Sequence, residues 1–215
     1  MNMPRVARIA PSGYIYHILP RGNNRQDIFK AEEDYGKYLD ILRSYKEKYL
    51  FKLYHYALMA NHVHLILETA EAGGSLAEGM KGINLSYAQY YKKSYSHIVH
   101  FWQDRFKSIL ISKDDYLRAC GSYGGLNPVR AAIVENPKDY RCSSYHVYAY
   151  GKKDLLVDEH PIYQELSTKE TDRRKRYREL LKGVLKARDA MKGEMHRRVI
   201  YGNKDFIDVI KRGYE

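Results

Sequence analysis

Two histidines separated by a single residue are the first feature of this sequence that could support chemistry. His62 and His64 lie in the run Asn61-His-Val-His-Leu-Ile-Leu67, whose apolar and β-branched residues predict a strand. Side chains at positions i and i+2 of a strand point to the same face, so the two imidazoles would project together. Such a pair can supply two ligands of a divalent-metal site. Alternatively, the two side chains are partly buried histidines that hydrogen bonds satisfy.

A third ligand and a nucleophile could come from one predicted helix, which runs from Asp114 to Asn127. Tyr123 and Asn127 are four residues apart, so a helix would place both side chains on one face. The carbonyl oxygen of Asn127 could complete the metal site and leave positions for phosphate oxygens. The Tyr123 phenol would then lie beside a Lewis acid, which suits cleavage of a phosphodiester by a tyrosine. Taken alone, Tyr123 could equally be a packed or surface tyrosine.

The composition favours a polyanionic partner, most often nucleic acid. The 215 residues include 37 Lys and Arg against 26 Asp and Glu, a net charge of +11, and 22 tyrosines against 5 phenylalanines. Basic charge combined with abundant aromatic side chains is typical of nucleic-acid-binding proteins. A basic protein without such a partner is the alternative.

Targeting signals and cysteine usage predict a cytoplasmic protein, and a nucleic-acid partner would associate it with the nucleoid of a bacterial-type cell. No run of the sequence approaches the roughly 18 apolar residues of a membrane span, and the first residues do not form a signal peptide. Cys120 and Cys142 are the only cysteines. They form no close-spaced metal motif, so we expect two free thiols in a reducing compartment and no membrane partner.

The chain divides by composition into two predicted parts. Glycine, lysine, aspartate and proline cluster over residues 151–160, which predicts a boundary there. It would separate a catalytic domain over residues 1–150 from a basic helical extension over residues 151–215. The last 49 residues hold 15 basic and 8 acidic residues, so most of the excess positive charge lies in the extension.

Hydrophobic periodicity predicts an α+β fold with the element order β-α-β-β-α-β-α. This order is that of a ferredoxin-like split βαβ, an antiparallel sheet with two helices on one face. The third helix, which carries the tyrosine, would pack near the other face or an edge of the sheet. The predicted strands cover about residues 14–19, 53–59, 62–68 and 106–111, and the predicted helices about residues 33–49, 76–91 and 114–127.

Four stretches of the sequence together form a recognisable pattern. They are Tyr16-His-Ile-Leu-Pro-Arg-Gly-Asn-Asn-Arg-Gln-Asp-Ile-Phe29, Leu58-Met-Ala-Asn-His-Val-His-Leu-Ile66, Trp102-Gln-Asp-Arg-Phe-Lys-Ser108 and Tyr123-Gly-Gly-Leu-Asn-Pro-Val-Arg-Ala131. In this order they resemble the REP-associated tyrosine transposases, a branch of the single-tyrosine HUH transposases that act on single-stranded DNA. Fainter similarity at residues 143–145 and 201–206 extends the resemblance over nearly the whole chain.

The resemblance implies a specific site and activity. His62 and His64 would bind the metal, Asn127 would be the third metal-facing group, and Tyr123 would be the nucleophile. The metal would be Mg²⁺ or Mn²⁺. The enzyme would cleave and rejoin single-stranded DNA at hairpins formed by palindromic repeats, through a 5′-phosphotyrosine intermediate, and would act as a monomer or a homodimer.

Two other functions remain open from the sequence. Gly124 and Gly125 follow the tyrosine where the family usually has bulky residues, and each glycine inside a helix costs up to about 1 kcal/mol relative to alanine. The chain could therefore be a catalytically idle protein that binds DNA hairpins. It could also be a nuclease that acts through metal-bound water and does not need Tyr123. Tyr116, seven residues earlier and near the same helical face, is a second candidate nucleophile.

Candidate DNA contacts lie in three regions of the sequence. The loop after the first strand offers guanidinium groups and amides, although it could be a simple Gly-Asn turn. Arg105 and Lys107 flank Phe106, a combination suited to stacking and phosphate contact. The basic run in the extension could hold a hairpin stem or could be a solvated helical face. The candidate residues are Arg21, Asn23, Asn24, Arg25, Arg105, Lys107, Arg130, Arg173, Arg174 and Arg176.

Overall fold

The computed structural model describes residues 10–72, 74–96, 100–113, 119, 125–186 and 199–213. The first half contains β1 (Ile15–Leu19), α1 (Glu32–Tyr49), β2 (Lys52–Met59), β3 (His62–Glu68), α2 (Leu76–Tyr95) and β4 (Lys107–Ile111). The second half contains α3 (Asn127–Arg130), α4 (Tyr145–Tyr150), α5 (Pro161–Glu165), α6 (Glu170–Lys186), β5 (Ile200–Tyr201) and α7 (Lys204–Arg212). None of the helices in these ranges is long and apolar enough to cross a membrane.

The sheet has the strand order β2-β3-β1-β4-β5. Strands β1 to β4 pair antiparallel, with β2 and β3 forming the predicted hairpin. This order and the two intervening helices confirm the split βαβ arrangement. The short strand β5 adds to β4 in parallel, which makes the sheet mixed rather than purely antiparallel. Sequence reasoning missed β5 because two residues are too few to show a period.

One face of the sheet carries the main hydrophobic core under α1 and α2. Inward side chains of β1 and β3, such as Ile18 and Leu65, pack there with the buried tyrosines of α2. The Tyr87 hydroxyl donates to the carbonyl of Ile28 (2.6 Å) and the Tyr91 hydroxyl to that of Asp27 (3.0 Å). These tyrosines therefore pack against the sheet, as their helical spacing indicates, because a buried phenol needs both apolar contact and an acceptor.

A buried carboxylate ties the start of α1 to α2. Asp34 accepts hydrogen bonds from the backbone N–H groups of Lys30 (2.7 Å) and Ala31 (3.0 Å) and from the hydroxyls of Tyr90 and Tyr95 (both 2.8 Å). Burial alone would raise the pKa of Asp34, but these four donors outweigh it and the pKa lies below the usual 3.8. The ionised side chain thus stabilises the fold above about pH 4, and this contribution is lost as the pH falls through the lowered pKa.

We expect Asp34→Asn to lower the free energy of unfolding by about 2–3 kcal/mol at pH 7. The amide nitrogen cannot accept a hydrogen bond, so buried donors lose a charged partner. Urea denaturation measures the effect. The matched control is Asp40→Asn on the same helix, where the carboxylate is exposed and pairs only with Arg43, so its cost should stay below about 0.5 kcal/mol. Equal costs for the two variants would contradict the assigned role of Asp34.

The opposite face of the sheet carries a smaller apolar cluster. Ile15, Ile66 and Ile109 pack there with Ala119, which belongs to the predicted third helix. The rest of that predicted helix, residues 114–118 and 120–124, lies outside the described residues. Ala119 itself therefore lies on the face opposite α1 and α2, where the third helix was predicted to pack.

A third cluster spans the predicted boundary between residues 1–150 and 151–215. Tyr145 and Tyr148 of α4 pack with Tyr177 and Leu181 of α6, and all four side chains are buried. The described residues of the extension therefore share a core with the first part and, through β5, the same sheet. The boundary itself stays a prediction from composition.

Two buried histidines lie at the edge strand β2: His55 belongs to the strand, and the ring of His160 packs against that of Tyr54. His55 contacts the Ser144 hydroxyl through Nδ1 (3.3 Å), and burial, reinforced by the charge of His160, lowers its pKa to about 3. Burial also lowers the pKa of His160 to about 3, assisted by the positive charges of Lys113 and Lys52. Both imidazoles are therefore neutral in the native protein over a wide pH range.

We expect the protein to lose stability steadily as the pH falls from 6.5 toward 3. In this window the unfolded chain protonates both imidazoles while the native protein does not, so protons favour unfolding. His160→Asn should remove about one proton from the uptake on unfolding, because asparagine does not titrate. The variant should still fold, since the Asn side chain can accept the N–H of Ile162 that His160 Nδ1 accepts (3.1 Å). Denaturation at several pH values gives the uptake, and an unchanged slope in the variant would refute the assignment.

Candidate metal and nucleic-acid site

The two histidines of the His-x-His motif lie side by side on β3. His62 is half-buried and His64 is buried, and their side chains point to the same face as Ile66. The ring centres are 4.8 Å apart and the ring planes differ by 72°. The strand therefore presents two neighbouring imidazoles on the face opposite α1 and α2.

The spacing of these rings fits two ligands of one cation. An imidazole bound through Nε2 at about 2.1 Å has its ring centre about 3.2 Å from the ion. Two such ligands at roughly right angles have ring centres about 4.5–5 Å apart. The observed separation of 4.8 Å lies within this range. Two imidazoles completed by oxygen donors would suit Mn²⁺, and Mg²⁺ is the other candidate.

Each imidazole is held by a neighbour through its other ring nitrogen. Nδ1 of His62 lies 2.6 Å from Oδ1 of Asn61, and Nδ1 of His64 lies 2.9 Å from Nε2 of His17. His17 is a fully buried residue of β1. Sequence reasoning assigned no role to either partner, although Asn61 directly precedes the motif. His17 could be found only from the pairing of β1 with β3.

The loop after β1 lies directly beside His62. The backbones of Arg21 and His62 form an isolated antiparallel β-bridge. The N–H of Gly22 donates to the carbonyl of Asn61 (2.9 Å). Across the loop, the N–H of Asn23 donates to the carbonyl of Phe101 (2.9 Å). The loop thus fills the space between the β2–β3 turn and the segment before β4. It belongs to the site by position as well as by composition.

Glycine is required at position 22 by close approach of the chain to itself. A Cβ atom there would lie 2.4 Å from the carbonyl oxygen of Gln26 and 2.8 Å from the Ile28 side chain. The tight path also puts Asn24 and Arg25 in the left-handed region, with φ of 49° and 60°. The fixed backbone keeps Arg21 paired with His62 and the carbonyl of Arg25 bonded to the side chain of Asn61.

Several of the candidate DNA-binding side chains are exposed around the histidine pair or on β4. Arg21, Asn24 and Arg25 are exposed in the loop, where Asn23 is half-buried. Lys107 lies opposite Leu19 of β1 and is exposed, although partial burial lowers its pKa. Arg105, just before β4, is exposed as well.

The helix predicted to join Tyr123 to Asn127 differs from the structure at its end. Gly125 and Leu126 form a bend, and the buried Asn127 is the first residue of α3, with Pro128 in the first turn. Proline suits a helix start because its missing N–H is not needed there. Asn127–Pro128 thus begins a helix rather than ending one, and the i, i+4 argument does not hold for this pair. Tyr123 and Tyr116 lie outside the described residues, as does Gly124.

The basic residues of the extension have partners within the protein. Arg174 pairs with Glu170 one turn earlier, Arg176 donates to the carbonyl of Leu166, and Arg173 lies over the Tyr163 ring at 5.5 Å from its centre. The Arg174 pair lies within α6, whereas the contacts of Arg173 and Arg176 help to dock α6 onto α5 and the residue that follows it. Arg130, the last residue of α3, is half-buried.

The side chains of the described ranges form no cluster of three His, Cys, Asp or Glu that could hold a metal. A metal at the histidine pair would therefore depend on other donors for its remaining positions. An amide oxygen such as that of Asn127 and the phosphate oxygens of a substrate are suitable donors. Such a site would leave positions open for the oxygens of a substrate.

Comparison with known proteins places the chain in a family. The family described as "Transposase IS200 like" matches residues 11–123, just over half of the chain. No curated protein matches this chain. The fold is similar to that of a REP-associated tyrosine transposase bound to a REP hairpin, with a TM-score of 0.58 and 18% identity over 74% of this chain and 93% of that one. A putative transposase from Deinococcus radiodurans R1 aligns with a TM-score of 0.40 and 17% identity over 55% and 91% of the two chains.

The matched segment contains the split βαβ, both histidines of the motif and, as its last residue, Tyr123. The similarity to the first solved structure confirms the predicted fold. The resemblance inferred from four sequence stretches is thus supported by a family match and by the fold, independently of each other. The chain belongs to the IS200-like transposase family.

Proposed function

We propose that this protein cleaves and rejoins single-stranded DNA at hairpins, with a divalent metal at His62 and His64 and with Tyr123 as the nucleophile. The observation that carries the proposal is the pair of neighbouring imidazoles on β3, next to a basic loop that the fold holds against His62. A histidine pair that served only packing would not need the exposed Arg21 and Arg25 in the neighbouring loop. Asn127 is the proposed third metal-facing group.

The proposed step is a transfer of the phosphoryl group to tyrosine. The Tyr123 oxygen forms a bond to phosphorus, the bond from phosphorus to the 3′ oxygen breaks, and that oxygen leaves as a 3′-hydroxyl after taking a proton. The product is a 5′-phosphotyrosine, which preserves the energy of the phosphodiester and allows a 3′-hydroxyl to reverse the attack. Bound Mg²⁺ or Mn²⁺ would supply Lewis-acid stabilisation of the charge that develops on the phosphate.

A free phenol has a pKa near 10, so the nucleophile must be activated at neutral pH. Positive charge around the phosphate favours the phenolate and also holds the DNA. In the proposed complex Arg21, Arg25, Arg105 and Lys107 supply this charge, and Asn23 and Asn24 of the loop contact bases or phosphates.

Hairpin DNA is the proposed substrate because the similar solved structure is that of a tyrosine transposase bound to a REP hairpin. Arg130 and the arginines of α6 would contact the stem. Because Arg173, Arg174 and Arg176 also have contacts within the protein, stem binding would be a second role for them.

The test is incubation of the full chain with single-stranded hairpin DNA from beside its own gene, with Mn²⁺ or with EDTA. We expect a DNA–protein adduct that survives denaturation and forms only with the metal. Binding without an adduct would contradict the proposal and favour a catalytically idle hairpin-binding protein. Cleavage without an adduct would contradict it and favour a nuclease that uses metal-bound water.

A further inference from the structure

The hydrogen bond between Asn61 and His62 has a direction that the surrounding atoms fix. Nδ2 of Asn61 donates to the backbone carbonyl of Arg25 (3.2 Å), which can only accept. The other side-chain atom of Asn61, Oδ1, is also an acceptor and lies 2.6 Å from Nδ1 of His62. Nδ1 of His62 must therefore carry the proton, which leaves the lone pair of a neutral ring on Nε2.

The neighbouring pair has two possible directions. Nδ1 of His64 and Nε2 of His17 are 2.9 Å apart, and the two rings are nearly coplanar, with planes that differ by 12°. If Nδ1 of His64 donates, its lone pair lies on Nε2, as in His62. Both rings of the motif then present the same nitrogen, which is what two ligands of one ion require.

We propose that Asn61 and His17 are positioning residues that hold His62 and His64 in the Nδ1–H form with Nε2 directed to the metal. The inference rests on the proposed metal site, because the role assigned to the two hydrogen bonds is to orient the ligands of that metal. Partners of this kind orient metal-binding histidines and fix their tautomer. Neither residue touches the metal or the DNA in this assignment.

The arrangement also connects the DNA-binding loop to the metal site. The carbonyl that orients Asn61 belongs to Arg25, a residue of the loop proposed to contact DNA. The backbone carbonyl of Asn61 also binds the loop, because it accepts the N–H of Gly22 (2.9 Å). A displacement of this backbone would therefore change the orientation of His62. DNA binding that fixes the loop backbone should therefore also fix the orientation of His62.

A different assignment of His17 is chemically possible and must be tested. Two nitrogens 2.9 Å apart could also ligate one ion together, in which case His17 Nε2 and His64 Nδ1 would be ligands rather than hydrogen-bond partners. In that arrangement His64 binds the ion through Nδ1 and must carry its proton on Nε2. A His64 ring in the Nδ1–H form would have to change tautomer when the metal binds. The tautomer of His64 in the metal-free protein, together with the number of imidazoles that bind the metal, therefore separates the two assignments.

The experiment is nitrogen-15 NMR of the histidine rings in the metal-free, full-length protein above pH 8. We expect His62 and His64 both in the Nδ1–H form, and an Nε2–H signal from either residue would overturn the proposal for that residue. In Asn61→Ala the His62 ring should lose this preference and populate the Nε2–H form. Asn136→Ala, at an exposed asparagine with no cap hydrogen bond, is the matched control and should leave the spectrum unchanged.

A metal titration then connects the tautomers to binding. We expect Mn²⁺ affinity to fall roughly 10–100-fold in Asn61→Ala and in His17→Leu, and to be largely restored in His17→Gln, whose amide oxygen can accept from His64. Electron spin echo spectroscopy of bound Mn²⁺ should detect two imidazoles, whereas three would show that His17 is a ligand and refute its positioning role. If the wild-type protein shows the expected tautomers but binds no Mn²⁺, the proposed metal site fails; the wild-type spectrum decides the tautomers even if a variant does not fold.

Discussion

Replacing His62 by alanine is expected to lower the rate of DNA cleavage by roughly 10³-fold while the protein remains folded. The substitution removes one of two neighbouring imidazoles, and loss of Lewis-acid stabilisation worth about 4 kcal/mol corresponds to a change of this size. His62 is the better of the two positions for this test because it is half-buried, whereas His64 is buried. Removing a half-buried side chain at a strand end should affect stability less.

Adduct formation with hairpin DNA under single-turnover conditions measures this rate. The control is His146→Ala, which removes another half-buried histidine on α4, where its ring contacts Tyr145 and Tyr150. The control should cleave at the wild-type rate. Cleavage by His62→Ala within threefold of wild type, with the melting temperature unchanged, would exclude a metal at the histidine pair.

Replacing Tyr123 by phenylalanine should have the larger effect and remove the covalent adduct altogether. Phenylalanine keeps the aromatic ring but has no oxygen to form a bond with phosphorus. Hairpin binding should change by less than about threefold, because affinity depends mainly on cations around the phosphates. Gel shift and denaturing electrophoresis on the same samples separate binding from chemistry.

The control for this substitution is Tyr116→Phe, at the second candidate nucleophile. It should form the adduct normally. An adduct that persists in Tyr123→Phe and disappears in Tyr116→Phe would move the nucleophile to residue 116 without affecting the rest of the site. Loss of hairpin binding in Tyr123→Phe would instead assign that tyrosine to DNA recognition.

The sequence predicted the frame of the fold well because its elements carry strong periodic patterns. The tyrosines of α2 recur at helical spacing, and the helix that this spacing indicates buries Tyr87 and Tyr91 against the sheet. The β2–β3 hairpin followed from two strand-like runs separated by Ala60 and Asn61. Local patterns of this kind depend only on neighbouring residues, and the structure preserves them.

Features that depend on distant residues could not be predicted in the same way. His17 and His64 are 47 positions apart and meet only because β1 pairs with β3 in one particular register. Asn61 is adjacent to the motif, but its role depends on a carbonyl in the loop, 36 positions earlier. The arginines of α6 were assigned to DNA by their charge alone, and the structure shows that Arg173 and Arg176 also help to dock that helix.

The region between Ala119 and Asn127 was the weakest point of the sequence reasoning. Periodicity suggested one helix through both Tyr123 and Asn127, but Gly125 is buried in a bend, where an added Cβ would lie 2.8 Å from the Tyr145 ring. Packing against α4 therefore requires glycine at this position. The bend at Gly125 stands where the sequence predicted a continuous helix, so tertiary contact overrides the helical spacing at this position.

The most direct measurement is identification of the residue and the DNA end that form the covalent bond. Wild-type protein is incubated with Mn²⁺ and a hairpin oligonucleotide labelled on its 3′ side, the adduct is digested with protease, and the labelled peptide is sequenced by mass spectrometry. We expect the label to remain with the protein and the DNA to be attached through a 5′-phosphate to Tyr123. An adduct on any other residue, attachment through the 3′ side, or label released entirely as free DNA would contradict the account.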